Sequence, residues 1–173
     1  MKDFNSEKTV NLVKDALIEA GSVFREDKKL AYYQAIEAET NAKAKWILET
    51  ILENAETAQK NRSPLCDDTG VPHIVLAVGE DTVVTGRTLD AVRAGIAEGL
   101  RRFPGRPMGI MGNGSQRLDQ SGGLNPDSAG VEPAPILLRR CQENVLRLHI
   151  LMFGGGRPSE EEPTGFFINT ILR

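Results

Sequence analysis

The hydrophobic period of this chain changes between Asn61 and Pro64. Before that point apolar residues recur every three or four positions, as one face of a helix requires. After it they come in short runs rich in β-branched residues, punctuated by glycine and proline, as strands and turns require. Ser63-Pro64 marks the switch, because a proline disfavours helical geometry in the residue before it. A chain of 173 residues built in that order, with one helix inserted among the strands, reads as a single α+β domain. Its N-terminal helical segment is expected to pack on a mixed or antiparallel sheet.

Three helices account for the first part. Val10, Val13, Leu17 and Ala20 mark the first, which Gly21 is expected to stop. Leu30, Tyr33 and Ile36 mark a short second one. Ala44, Ile47, Leu48, Ile51, Leu52, Ala55 and Ala58 give the third a broad apolar stripe opposite Lys43, Lys45, Glu49, Glu53 and Glu56. Such a stripe predicts core packing. His73–Val78 reads as a buried strand, Gly79–Asp81 as a turn, and Thr82–Val84 as the start of a return strand. A helix over Leu89–Leu100 follows, with Thr88 as N-cap, Asp90 in its first turn, and Leu89, Val92, Ile96 and Leu100 turned inward. Residues 103–132 hold seven glycines and three prolines; so long an irregular stretch in a compact domain is usually functional. Ile136–Leu138 and Val145–Phe153 read as strands with a turn over Arg139–Asn144 between them.

Charge and hydropathy exclude several function classes. The net charge of −3 offers nothing to nucleic acid or an anionic membrane. No apolar run approaches the roughly 18 residues that span a bilayer, and the N-terminus has no signal-peptide core. A cytoplasmic location is expected, where Cys66 and Cys141 stay unpaired.

The chemistry concentrates in SPLCDDTGVPH, residues 63–73. Asp67 and Asp68 beside Cys66 disfavour a free thiolate, and hence a cysteine nucleophile working with His73. A bound metal reverses this by stabilising thiolate outright. His73 and His149, on strands, read as packed histidines. Gly154, Gly155 and Gly156 follow a strand and suit either a tight turn or backbone N–H groups brought close to a carboxylate or phosphate. Arg101, Arg102 and Arg106 close the inserted helix and enter the loop. Arginine is the usual fork for a carboxylate, although a basic helix C-terminus also complements the helix dipole.

AKWILETILENAETAQKNRSPLCDDTG, residues 44–70, resembles the stretch around the first cluster cysteine of the iron–sulfur hydro-lyases. That family comprises the class I fumarases and the α subunit of L-tartrate dehydratase. Its pattern is a helix near A-K-W-x-L-x-x-I-L-E-N-A, a short proline linker, then C-Q-D-T-G; the likeness extends over about residues 30–160. The resemblance implies a 4Fe–4S cluster held by three cysteines and reversible dehydration of a small 2-hydroxy dicarboxylic acid. Cys66 matches the first cluster ligand. Asp68 matches the acidic catalytic residue beside the substrate, and Asp67, Arg106 and Gly155 match substrate-side positions. Asp67 stands where the family has glutamine, and Phe153 stands where it has lysine before the glycines. The other two cluster cysteines are expected beyond Arg173. The resemblance therefore implies an N-terminal part, incomplete and inactive alone, whose partner is a β subunit or a C-terminal domain in an oligomer. A non-catalytic, partner-binding member of the same family is the alternative.

Overall fold

A computed structural model describes residues 6–66, 71–103, 134–153 and 166–172. They form four helices and a four-stranded mixed sheet, an α+β fold as expected. The helices are α1 (Ser6–Ser22), α2 (Glu26–Ala38), α3 (Ala42–Asn61) and α4 (Gly86–Arg102). The strands are β1 (Val71–Val78), β2 (Leu137–Arg140), β3 (Leu146–Phe153) and β4 (Phe166–Leu172), in the spatial order β2-β1-β3-β4. β1 pairs with β2 in parallel and with β3 antiparallel, and β3 pairs antiparallel with β4.

The core follows from two periodicities. In β1 and β3 the even-numbered residues Ile74, Leu76, Leu146, Leu148, Ile150 and Met152 share one face, because successive side chains alternate and the register pairs even with even. That face packs on Val13, Ala16, Leu17 and Ala20 of α1 and on Val92, Ile96 and Leu100 of α4. Val13, Leu17, Val92, Leu148 and Ile150 are wholly inaccessible to solvent. α1 and α4 lie unusually close, and Gly95 makes this possible. A Cβ there would sit 2.6 Å from Val13 Cβ and 2.8 Å from the Val10 carbonyl.

Several elements differ from the sequence reading. α1 runs through Gly21 to Ser22, whose hydroxyl donates to the Ile18 carbonyl at 2.7 Å. Gly21 serves a different purpose: a Cβ there would fall 2.4 Å from Cζ of Phe103. The N-cap of α4 is Thr85 rather than Thr88. Thr85 accepts from the Thr88 N–H while the Thr88 hydroxyl accepts from the Thr85 N–H, a reciprocal capping box. Thr82–Val84 forms no return strand, because both edges of β1 are already taken by β2 and β3. Nor do β2 and β3 form a hairpin. The chain from Cys141 to Val145 crosses the end of β1, with Cys141 N–H donating to Val78 O and Gly79 N–H to Val145 O. Sequence proximity suggested a turn, but the open parallel edge of β1 captured β2 instead.

The α3 stripe is only half buried. Leu52, Ala55 and Ala58 are covered, whereas Ile47 and Ile51 are exposed, as is Trp46 beside the stripe. α2 has no buried residue. These helices pair mainly with each other, the Tyr33 hydroxyl of α2 donating to Glu56 of α3 at 2.8 Å, while Phe24, just before α2, meets Tyr32 edge to face. A stripe predicts burial against something; among the described residues only its C-terminal half finds a partner.

Candidate functional site around Cys66

The route into the cysteine loop begins with the end of α3. Asn61 is the last helical residue, and Arg62 takes a left-handed backbone, φ 52° and ψ 40°. Its N–H donates to the Gln59 carbonyl, and Ser63 N–H donates to Ala58 O at 2.9 Å. This is the double bond pattern of a Schellman turn, normally closed by glycine. Arginine pays the steric cost of the left-handed region and recovers only an exposed contact with Asp15 at 3.3 Å. Arg62→Gly is accordingly expected to stabilise the chain by about 0.5–1 kcal/mol in urea melts. A destabilised variant would show that the Asp15 contact outweighs the backbone.

Past the turn, Pro64 fixes one backbone dihedral, and Leu65 is held at both ends. Its N–H donates to the Gly21 carbonyl at 3.1 Å. Its carbonyl accepts from the Asn54 side-chain amide at 3.3 Å. Cys66 follows, exposed and free. The sequence reading singled out neither Asn54 nor Phe103. The one available signal was an asparagine, a weak helix former, set within two turns of the end of α3.

Of the other predicted site residues, Asp67, Asp68, Arg106 and Gly155 lie outside the described residues, as do Gly154, Gly156 and most of the 103–132 stretch. Some of their described neighbours nevertheless meet at one end of the sheet. Val71, which follows the cysteine loop, is the register partner of Phe153, which precedes the three glycines. Ala134, where the chain re-emerges, donates its N–H to Pro72 O at 2.9 Å. Phe103, three residues before Arg106, is buried and packs on Gly21, the residue that accepts from Leu65. Register and hydrogen bonding thus bring Val71, Pro72, Phe153 and Ala134 to one end of the sheet, and Leu65, Gly21 and Phe103 form a second set of contacts.

The remaining candidates lie elsewhere. Cys141 N–H bonds Val78 at the far end of β1, roughly 23 Å of strand from Val71 at about 3.3 Å per residue. Its Sγ reaches the Glu143 carbonyl at 3.2 Å, a local role. Cys66 and Cys141 therefore neither pair nor share a ligand set. His73 Nδ1 donates to Val71 O at 3.0 Å. His149 Nε2 accepts from Arg139 at 3.0 Å, which makes that nitrogen the unprotonated one. Both histidines lie on the sheet face opposite the core. Arg101 and Arg102 are exposed and pair with Glu98, at 3.8 and 2.6 Å. Those contacts draw the Glu98 carboxyl below its usual range, the Arg102 hydrogen bond being the main cause. Both arginines thus have the structural role of a helix C-terminus.

Among the described residues no group of three or more His, Cys, Asp or Glu could hold a metal ion. No helix among the described residues is long and apolar enough to cross a membrane.

The sequence profile of the fumarate hydratase (Fumerase) family matches residues 10–165. A protein of Methanocaldococcus jannaschii, provisionally named as the alpha subunit of an L(+)-tartrate dehydratase, is 27% identical over 127 residues. That match takes in 72% of this chain and 45% of the relative, so the chain spans about half the relative's length. The profile extends over all of the core and the cysteine loop, and the chain belongs to the fumarate hydratase family.

Proposed function

We propose that this chain is the cluster-bearing N-terminal part of an iron–sulfur hydro-lyase that reversibly dehydrates a small 2-hydroxy dicarboxylic acid. The observation that carries the reading is the convergence at one sheet end. The β1–β3 register sets the strand that follows the Cys66 loop against the strand that precedes the glycines, and Leu65 and Phe103 both contact Gly21.

The residues present fit a cluster in part. Cys66 is a free, exposed thiol on a held backbone, suited to one ligand position. The other two thiolates belong to the remainder of the enzyme, a β subunit or a C-terminal domain, in an oligomeric cytoplasmic assembly. A bound 4Fe–4S cluster with one open iron supplies Lewis-acid polarisation of the departing hydroxyl. This chain's own residues do the rest. Arg106 holds a substrate carboxylate by a two-pronged hydrogen bond. Gly155, by its match to the family's glycine-rich turn, belongs to the substrate side. Asp68 acts on the proton next to the carboxylate, as a base positioned on the substrate side.

Asp67 favours a second reading, a non-catalytic member of the family. An ionised aspartate repels a substrate carboxylate that a glutamine would hold. Assay of the assembled enzyme against fumarate, malate and tartrate, alongside its Asp67→Gln variant, separates the two. Turnover of at least one of these acids, in either form, supports the hydro-lyase reading. No turnover by either form of an iron-loaded assembly would leave the partner-binding alternative standing.

A further inference from the structure

The structure assigns Asn54 of α3 as the positioning residue for Cys66, acting through the carbonyl of Leu65. The assignment rests on the proposal that Cys66 is a metal ligand, and it concerns how that thiol is presented.

A peptide unit is planar. Fixing a carbonyl therefore fixes the plane that runs from its own Cα to the next one. The Leu65 carbonyl belongs to the plane that ends at the Cα of Cys66. The Asn54 amide donates to that carbonyl at 3.3 Å, and Leu65 N–H donates to Gly21 O at 3.1 Å. Both peptide planes flanking Leu65 are thus tied down, one to α3 and one to α1. Upstream, Ser63 N–H is tied to Ala58 O at 2.9 Å, and Pro64 has its own φ locked. Cys66 itself is exposed. With the plane before it fixed, the freedom left to the thiol is its own dihedrals.

The two ties are not equivalent. Gly21–Leu65 joins the α1 terminus to the linker and can be explained as packing, since Phe103 closes over the same glycine. Asn54 is exposed on α3, buries no apolar surface, and places its amide on the peptide leading into Cys66. A ligand that must meet a metal within tenths of an ångström needs its backbone fixed by surrounding hydrogen bonds. Asn54 supplies one of them from an element already anchored through Leu52, Ala55 and Ala58.

The test uses the full chain carrying Asn54→Asp, which keeps the shape but removes the donor, with Asn54→Ala as a second variant should the first fold poorly. Loss of one hydrogen bond is expected to speed hydrogen exchange of the Leu65 amide about fivefold. Iodoacetamide should label Cys66 at an altered rate while Cys141, in the same molecule, reacts as before. The melting temperature should stay that of the parent chain, because Asn54 is exposed. In the assembled enzyme, reconstitution with ferrous iron and sulfide should leave less iron bound. Unchanged Leu65 exchange and unchanged Cys66 labelling in both variants would overturn the assignment. Cys66→Ser in the same reconstitution isolates the parent proposal. If it holds as much iron as the parent enzyme, Cys66 is no ligand, whatever the Asn54 variants do to the backbone.

Discussion

Cys66→Ser in the assembled enzyme is expected to lower hydro-lyase activity by more than about a hundredfold, because even residues that merely support a metal ligand cost ten- to a hundredfold when lost. A serine hydroxyl is a harder and far less acidic donor than a thiol, so it does not replace a thiolate on iron. The folding stability of the chain should not change, since Cys66 is exposed and buries no apolar surface. Cys141→Ser is the control. Its Sγ is bonded locally to the Glu143 carbonyl, a contact that a hydroxyl also makes, and it lies at the opposite end of β1. Activity and iron content are expected to survive that change. Equal losses from the two substitutions would refute the assignment of Cys66 and point to a general sensitivity to lost thiols.

Gly95→Ala is expected to destabilise the chain by about 1–3 kcal/mol, the range typical of overpacking in a well-packed core. The sign is not obvious from helix propensity. Alanine in a helix interior is favoured over glycine by up to about 1 kcal/mol, and Gly95 is in the middle of α4. The new methyl would meet Val13 Cβ at 2.6 Å and the Val10 carbonyl at 2.8 Å. Both belong to the neighbouring helix near its backbone, so relief requires moving α1 off α4 and opening the core at Val13, Val92 and Ile96. Gly99→Ala makes an instructive pair. Its closest contacts, Leu17 Cβ and Cδ2 at 3.2 Å and the Lys14 carbonyl at 3.3 Å, yield with small adjustments. There the propensity gain should roughly offset the crowding. Urea denaturation of the two variants reads the difference directly. A Gly95→Ala chain as stable as the parent would mean that α1 and α4 have more slack than these distances allow.

Much of the fold was legible in advance because it is written in local period. The first helix through Val10–Ala20, the third through Ala44–Ala58, the strand over His73–Val78 and the inward face of α4 all follow from repeats of 3.6 or 2. Where the reading failed, the deciding interaction was not local. Thr85 rather than Thr88 caps α4 because two threonines three apart can exchange roles, and backbone geometry chooses between them. Thr82–Val84 has strand composition but no free edge to join. Leu137–Arg140 looks like the first arm of a hairpin, yet it pairs in parallel with a strand sixty residues earlier.

By itself the sequence determined the α+β class, the switch at Ser63-Pro64 and the family. Each of these rests on the order of neighbouring residues, which packing does not alter. Only the tertiary structure decided which distant segments share an end of the sheet, because that depends on register: Val71 against Phe153, and Ala134 against Pro72. It also decided that Cys141 stands apart from Cys66, that Gly21 and Gly95 are small to admit a ring and a helix, and that Asn54 reaches the peptide before the cysteine. Eleven positions separate Asn54 from Leu65. No periodicity joins them, and only the left-handed turn at Arg62 brings the chain back alongside α3.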